Sequence, residues 1–93
     1  MKRQRYTPGN AFPGTWDTVD EPIVVVGGVA FPSGVVEGLG RDHVRWLASQ
    51  PRPEATCESR VTGAWMSNDI ERAGLYACAR DCFTAARLLA VGS

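Results

Sequence analysis

The chain has 93 residues, 44% of them hydrophobic and 22% charged, with ten basic side chains balancing ten acidic ones. That composition belongs to one small globular domain: it is too apolar for a disordered tail, and the chain is too short for a large multidomain enzyme. A net charge of zero supplies no long-range field toward nucleic acid or anionic lipid.

The charges are unevenly placed. Lys2, Arg3 and Arg5 open the chain, and the stretch from Tyr6 to Phe31 contains only acidic charges, at Asp17, Asp20 and Glu21. The two segments are expected to attract each other. Nine of the ten basic residues are arginine, and Gly, Ala and Val are abundant, which is the coding bias of a GC-rich genome. Cys57, Cys78 and Cys82 are an odd number of cysteines, unlike a secreted disulfide framework, so a reducing, cytoplasmic setting is expected. Met1 to Arg5 has the charge of a signal-peptide start, but residues 6–15 supply no apolar stretch after it.

In chain order, residues 1–14 carry Pro8, Gly9, Asn10, Pro13 and Gly14 with few apolar anchors, and read as a flexible N-terminal arm ahead of a single domain over 15–93. Ile23 to Val26 are β-branched, and Gly27-Gly28 separates them from Val29-Ala30-Phe31. Two short strands across a glycine turn are predicted, with one strand carrying a glycine bulge as the alternative. This apolar run is closed by Pro32, far short of the ~20 residues that cross a bilayer.

From Gly34 to Gln50, Val35, Val36, Leu39, His43, Trp46 and Leu47 share one sector of a helical wheel, predicting a helix over 34–49 capped by Ser33 and stopped by Pro51-Arg52-Pro53. Gly38 and Gly40 weaken it. Cys57, Val61 and Trp65 interleaved with Glu58, Arg60 and Thr62 suggest a strand over 56–65. Asn68 to Glu71 has the spacing of a capping box before a last helix over 68–91, stopped by Gly92. One face of that helix carries Leu75, Cys78, Ala79, Cys82, Ala86 and Leu89, small enough for another element to approach closely. The expected fold is α+β, a short antiparallel sheet packed against two helices.

Few motifs point to chemistry. Gly27, Gly28 and Gly34 lack the GxGxxG spacing of a dinucleotide turn, and the only lysine is Lys2, which excludes a Walker motif. Cys78 and Cys82 at i,i+4 could chelate a metal with Cys57 and His43 as the remaining ligands, but both thiols fall on the apolar stripe and core packing is the plainer reading. An intrahelical disulfide is disfavoured by that spacing. His43, the single histidine, lies on an apolar stripe, where a packed imidazole is expected rather than a general base working with Cys57 or Ser33.

The most informative pattern is on the flank of the last helix, where Arg72, Tyr76, Arg80, Phe83 and Arg87 alternate arginine with aromatics. Such a stripe suits a protein interface; its bland reading is a core shoulder covered by arginine stems. Trp16 is the candidate exposed aromatic, while Trp46 and Trp65 are expected in the core. These features favour a cofactor-free, non-enzymatic interaction module using Arg72, Tyr76, Arg80, Phe83, Arg87 and Trp16 to bind and modulate a host or partner protein. Its size and coding bias suit a phage or mobile element, and homodimerisation through the small-residue face is a further expectation. The alternatives are a metal or redox protein built on Cys57, Cys78 and Cys82, and a small nucleic-acid binder using the arm and the stripe.

Overall fold

The basic opening of the chain and the acidic stretch after it pair as antiparallel strands, β1 (Lys2–Thr7) and β2 (Thr15–Asp20), in a computed structural model that describes residues 1–9 and 14–92. Lys2 stands opposite Asp20 and Arg5 opposite Asp17. The terminal amine lies 2.9 Å from Asp20 Oδ1. Opposite charges placed across a strand pair favour that register. Residues 2–7 of the expected arm are therefore a strand, because their partners lie beyond the Pro/Gly-rich stretch that suggested an arm. Residues 10–13 of that arm, and residue 93, lie outside the described residues.

Strands β3 (Ile23–Val26) and β4 (Val29–Pro32) form the expected hairpin. Gly27 and Gly28 both have positive φ, 59° and 79°, as a two-residue type I′ turn requires. The two strand pairs are separate sheets joined only by Glu21-Pro22, so there is no single sheet running from residue 15 to 65.

The predicted helix over 34–49 is two helices, α1 (Ser33–Leu39) and α2 (Arg41–Ala48), broken at Gly40 with φ 92°. This is a backbone region that only glycine enters without strain. The break re-aims the second half. Val35, Val36 and Leu39 still point inward, but α2 buries Val44 and Leu47, leaving His43 half-buried and Trp46 43% exposed. The expected cap also moves: Ser33 is the first residue of α1 and caps nothing, and the Gly34 N–H donates instead to Glu21 Oε1 at 3.2 Å.

Residues 56–65 are not a strand. They lie in α3 (Pro53–Met66), with proline in the first turn and Glu54 beside it, both favourable at a helix start. The buried positions Cys57 and Ala64, with Val61 partly buried between them, follow i, i+4, i+7. Trp65 is one residue off that face and is 53% exposed, correcting its assignment to the core.

Asn68 ends α3 in the left-handed region, φ 59°. The Asp69 N–H reaches back to Ala64 O and the Asn68 N–H to Trp65 O, the paired bonds of a Schellman motif. The cap of α4 (Ile70–Gly92) therefore falls to Asp69, whose Oδ1 accepts from the Arg72 N–H at 3.2 Å, one residue later than the expected box.

The fold is thus α+β, as expected, with four helices in place of two and two two-stranded sheets in place of one among the described residues. Helix α4 packs along α3, and also contacts α1, β1 and β4. The core is made by Val26 and Phe31 of the hairpin, Val35, Val36 and Leu39 of α1, Val44 and Leu47 of α2, and Cys57, Leu75, Tyr76, Ala79 and Phe83 from α3 and α4. Phe31 meets Phe83 edge to face at 5.3 Å, the favoured aromatic geometry.

Two glycine substitutions separate the contributions. A Cβ at Gly34 would overlap both the Glu21 carboxylate and the Arg3 guanidinium, so Gly34→Ala is expected to lose about 2 kcal/mol and to lower Tm by about 10 °C. Gly63→Ala, inside α3 where a Cβ meets nothing, should instead gain about 0.5–1 kcal/mol. Thermal melts followed by circular dichroism check both.

Candidate binding groove

The arginine–aromatic stripe of α4 is largely packed against the rest of the molecule, its aromatics in the core and two of its arginines on α3. Tyr76 and Phe83 are 2% and 4% exposed and belong to the core. Arg80 Nη1 donates to Glu58 Oε2 at 2.7 Å, and Arg87 Nε donates to Glu54 Oε2 at 3.0 Å. Arg72 lies over the Tyr76 ring, 5.5 Å from its centroid. The five residues lie on one flank as the spacing implied, but its aromatics are packed into the core, Tyr76 against His43 of α2 and Phe83 against Phe31 of β4, and Arg80 and Arg87 are held by two carboxylates of α3. This arrangement presents no free face of alternating arginine and aromatic rings. With Arg80 and Arg87 already engaged by carboxylates, it also suits phosphates poorly.

The sequence missed those carboxylates because a strand over 56–65 would have carried Glu58 away from α4. On helix α3, Glu54 and Glu58 are one turn apart and both reach the arginine flank.

Trp16 is 45% exposed, as expected. Its ring packs on Tyr6 at 5.1 Å and rests on the backbone of Gly74, where an added Cβ would lie 2.9 Å from Trp16 Cη2. From there it forms one wall of a groove of about 870 Å³ that opens to solvent. The floor is the face of α4 adjoining the stripe: Gly74, Ala77, Cys78, Cys82, Ala85 and Ala86. Gln4 and Thr18, hydrogen-bonded to each other at 2.7 Å, wall one side with Trp16, and Gly28 and Ala30 of the second hairpin contribute to the other. Met1, Lys2 and Arg3 also line it, with Asp81 and Leu89 on the helix.

The groove exists because of how α4 divides its residues. Its large side chains face α3 and the core, whereas Gly, Ala and Cys on the other side are too small to fill the space between the two hairpins. That stripe of small residues was visible in the sequence. The strand pair that walls it was not, because β1 lay in the segment taken for an arm.

His43 belongs to a different surface. Its Nε2 is hydrogen-bonded to the Tyr76 hydroxyl at 2.7 Å, and its ring stacks on Trp46 at 5.6 Å. Arg60 covers Trp46, 5.3 Å from its centroid. Burial first, then the guanidiniums of Arg60 and Arg72, holds the imidazole below its ordinary pKa. This is the packed imidazole with one satisfied nitrogen that the sequence implied. Neither Cys57 nor Ser33 is among its hydrogen-bond partners.

The thiols separate into two kinds. Cys57 is fully buried between α3 and the core, and burial pushes its pKa up to about 11. Cys78 and Cys82 are half-buried and line the groove. The interaction between the two neighbouring thiols lowers the pKa of Cys78 and raises that of Cys82. No group of three or more His, Cys, Asp or Glu side chains among the described residues could hold a metal, so the four-ligand set of Cys57, Cys78, Cys82 and His43 is not assembled. Among the described residues no helix is long and apolar enough to cross a membrane.

No protein-family model, curated protein or solved structure matches the chain.

On the acid side of neutrality two groups make stability depend on pH, with the same sign. Arg3 holds the Glu21 carboxyl below the ordinary range, and His43 is also depressed. Each contributes stability that is present above its unfolded pKa and is lost as pH falls through the folded one. Urea midpoints should therefore drop first below about pH 6.5, from His43, and again below about pH 4.5, from Glu21. His43→Gln should flatten the first step and Glu21→Gln the second.

Proposed function

We propose that the protein is a non-enzymatic binding module that modulates a partner protein by taking an apolar segment of it into the groove over α4. The observation behind this reading is the groove itself: about 870 Å³ of open, mainly apolar space, floored by alanine, glycine and cysteine, with the half-exposed Trp16 as one wall. A floor of small residues lets a partner's backbone approach closely. A rigid aromatic at the rim adds contact area with little loss of rotamer freedom. Lys2 and Asp81 at the edges offer charges of both signs to orient what enters.

The contact face in this reading is the small-residue side of α4 together with Trp16, in place of the neighbouring arginine–aromatic stripe. Removing Tyr76 would test folding more than binding, since it is a core residue bonded to His43.

The test uses a substitution that fills the groove and spares the core. Ala85 is exposed on α4 and lines the groove, so Ala85→Trp should leave the melting curve unchanged within about 0.5 kcal/mol. Tagged wild-type protein, Ala85→Trp and Arg80→Ala are used as baits in lysate of the source cells and read by quantitative mass spectrometry. A protein enriched near stoichiometry by wild type and Arg80→Ala, and at least tenfold less by Ala85→Trp, is the expected result. Equal enrichment by Ala85→Trp, or none by wild type, overturns the groove as the contact face. If the enriched species is the chain itself, the partner is a second copy, and light scattering should show the dimer dissociate in Ala85→Trp.

A further inference from the structure

Cys78 and Cys82 are the only reactive groups on the groove floor, and their spacing decides what they can do together. On a helix, β-carbons at i,i+4 stand about 5–6 Å apart. A disulfide needs them about 3.5–4.5 Å apart, so the pair cannot close an S–S bond while α4 stays helical. The same separation leaves room for one atom between the sulfurs, since two metal–thiolate bonds of about 2.3 Å in line span about 4.6 Å.

We propose that Cys78 and Cys82 form a two-thiolate site for a single soft monovalent cation of the Cu(I) type. Soft thiolates select such an ion, and a two-coordinate ion needs no further protein ligand. A tetrahedral Zn²⁺ site would need two more, and the described residues assemble no group of three or more metal-ligating side chains. Cys57, buried on α3 and not lining the groove, stays outside the site.

Three features of the groove support this assignment. Cys78 and Cys82, each half-buried, both line the open groove, where the neighbouring Ala77, Ala85 and Ala86 are small. Helix α4 carries both thiols one turn apart on the same groove floor, so the ion does not have to draw together side chains from separate elements. Lys2 lines the same groove and brings positive charge toward the excess negative charge of a dithiolate complex, while Arg3, which also lines it, is already paired with Glu21. Asp81 acts against this from the helix side. Binding is an exchange without electron transfer: two S–H bonds break, two protons pass to solvent and two S–metal bonds form. The complex carries one negative charge.

The site does not depend on the groove's taking a protein partner, and its test uses no partner. Fully reduced protein is titrated anaerobically with Cu(I) in the presence of a chromogenic Cu(I) chelator. Copper retained per chain is read from the chelator absorbance and from native mass spectra. One Cu(I) per chain is expected, falling at least tenfold in affinity in both Cys78→Ser and Cys82→Ser while their melting temperatures stay near that of wild type. Affinity should also rise with pH as two protons are released, and a hundredfold excess of Zn²⁺ should not displace the copper. No retention by wild type, equal retention by either serine variant, or displacement by Zn²⁺ would overturn the proposal. Should the serine variants melt early, alkylation settles the matter: Cu(I) bound at the site should protect two of the three thiols of the wild-type protein from iodoacetamide, and protection of none or of Cys57 alone overturns it.

Discussion

Glu21 is the group on which the relative placement of the two hairpins and the first helix depends. It sits in the two-residue joint between β2 and β3. Its Oε1 accepts from Arg3 Nε at 2.5 Å and from the Gly34 N–H at 3.2 Å, while Oε2 accepts from Arg3 Nη2 at 3.3 Å. A single carboxylate thus ties β1 to the start of α1, with its side chain only 20% exposed and that of Arg3 only 9%. Charge-assisted bonds of this kind are about twice as strong as neutral ones, and here they also supply the N-terminal acceptor that Pro32 and Ser33 do not. Around the joint, the Glu21 N–H donates to Met1 O and the Ser33 N–H to Pro22 O, so the backbones of both strand pairs are pinned at the same corner.

The corner explains why the fold was only partly legible in the sequence. The uneven charge layout contained the pairing of residues 2–7 with 15–20: the basic opening and the acidic segment were expected to attract, and they do so as neighbouring strands. What the composition could not convey was that attraction at separations of 12 and 18 residues, Arg5 to Asp17 and Lys2 to Asp20, becomes a strand register. Propensity is local, and Pro8 and Gly9 dominate the local signal. The Gly27-Gly28 hairpin and the last helix were legible because their signals lie within their own residues. Gly40 and Asn68 were harder, since each changes direction through one left-handed residue and moves every later side chain around its helix. Trp46 left the expected core face in this way, and the α4 cap moved from Asn68 to Asp69. For 56–65 the period was ambiguous: Cys57, Val61 and Trp65 at steps of four fit a helix at least as well as alternation, and Pro53 followed by Glu54 is a helix start.

The candidate site was legible in one half. The small-residue face of α4 appeared in the sequence as a place for close approach, and it is the floor of the groove. The arginine–aromatic face, which seemed the more informative of the two, is the packed one. Both assignments follow from a single fact: α3 is a helix whose Glu54 and Glu58 reach across to Arg87 and Arg80. Ion pairs at a partly exposed seam add little stability individually. Their consequence here is directional, because they fix which side of α4 faces α3 and therefore which side is left to the hairpins.

That division also bears on why the groove stays open. Filling it from within would take large side chains at the half-buried positions 77, 78, 82 or 86, and such residues would press against Gln4, Thr18 and Trp16 on β1 and β2. Those strands have little freedom to retreat, since the Glu21 corner holds one end of the pair and Trp16 rests directly on Gly74 toward the other end. Leu89, 76% exposed at the outer end of the same floor, lies where α4 has run past the start of α3. An apolar floor with a fixed tryptophan toward one end and an exposed leucine at the other is an asymmetric surface, and its two thiols lie between those ends, on the same face of α4 as both.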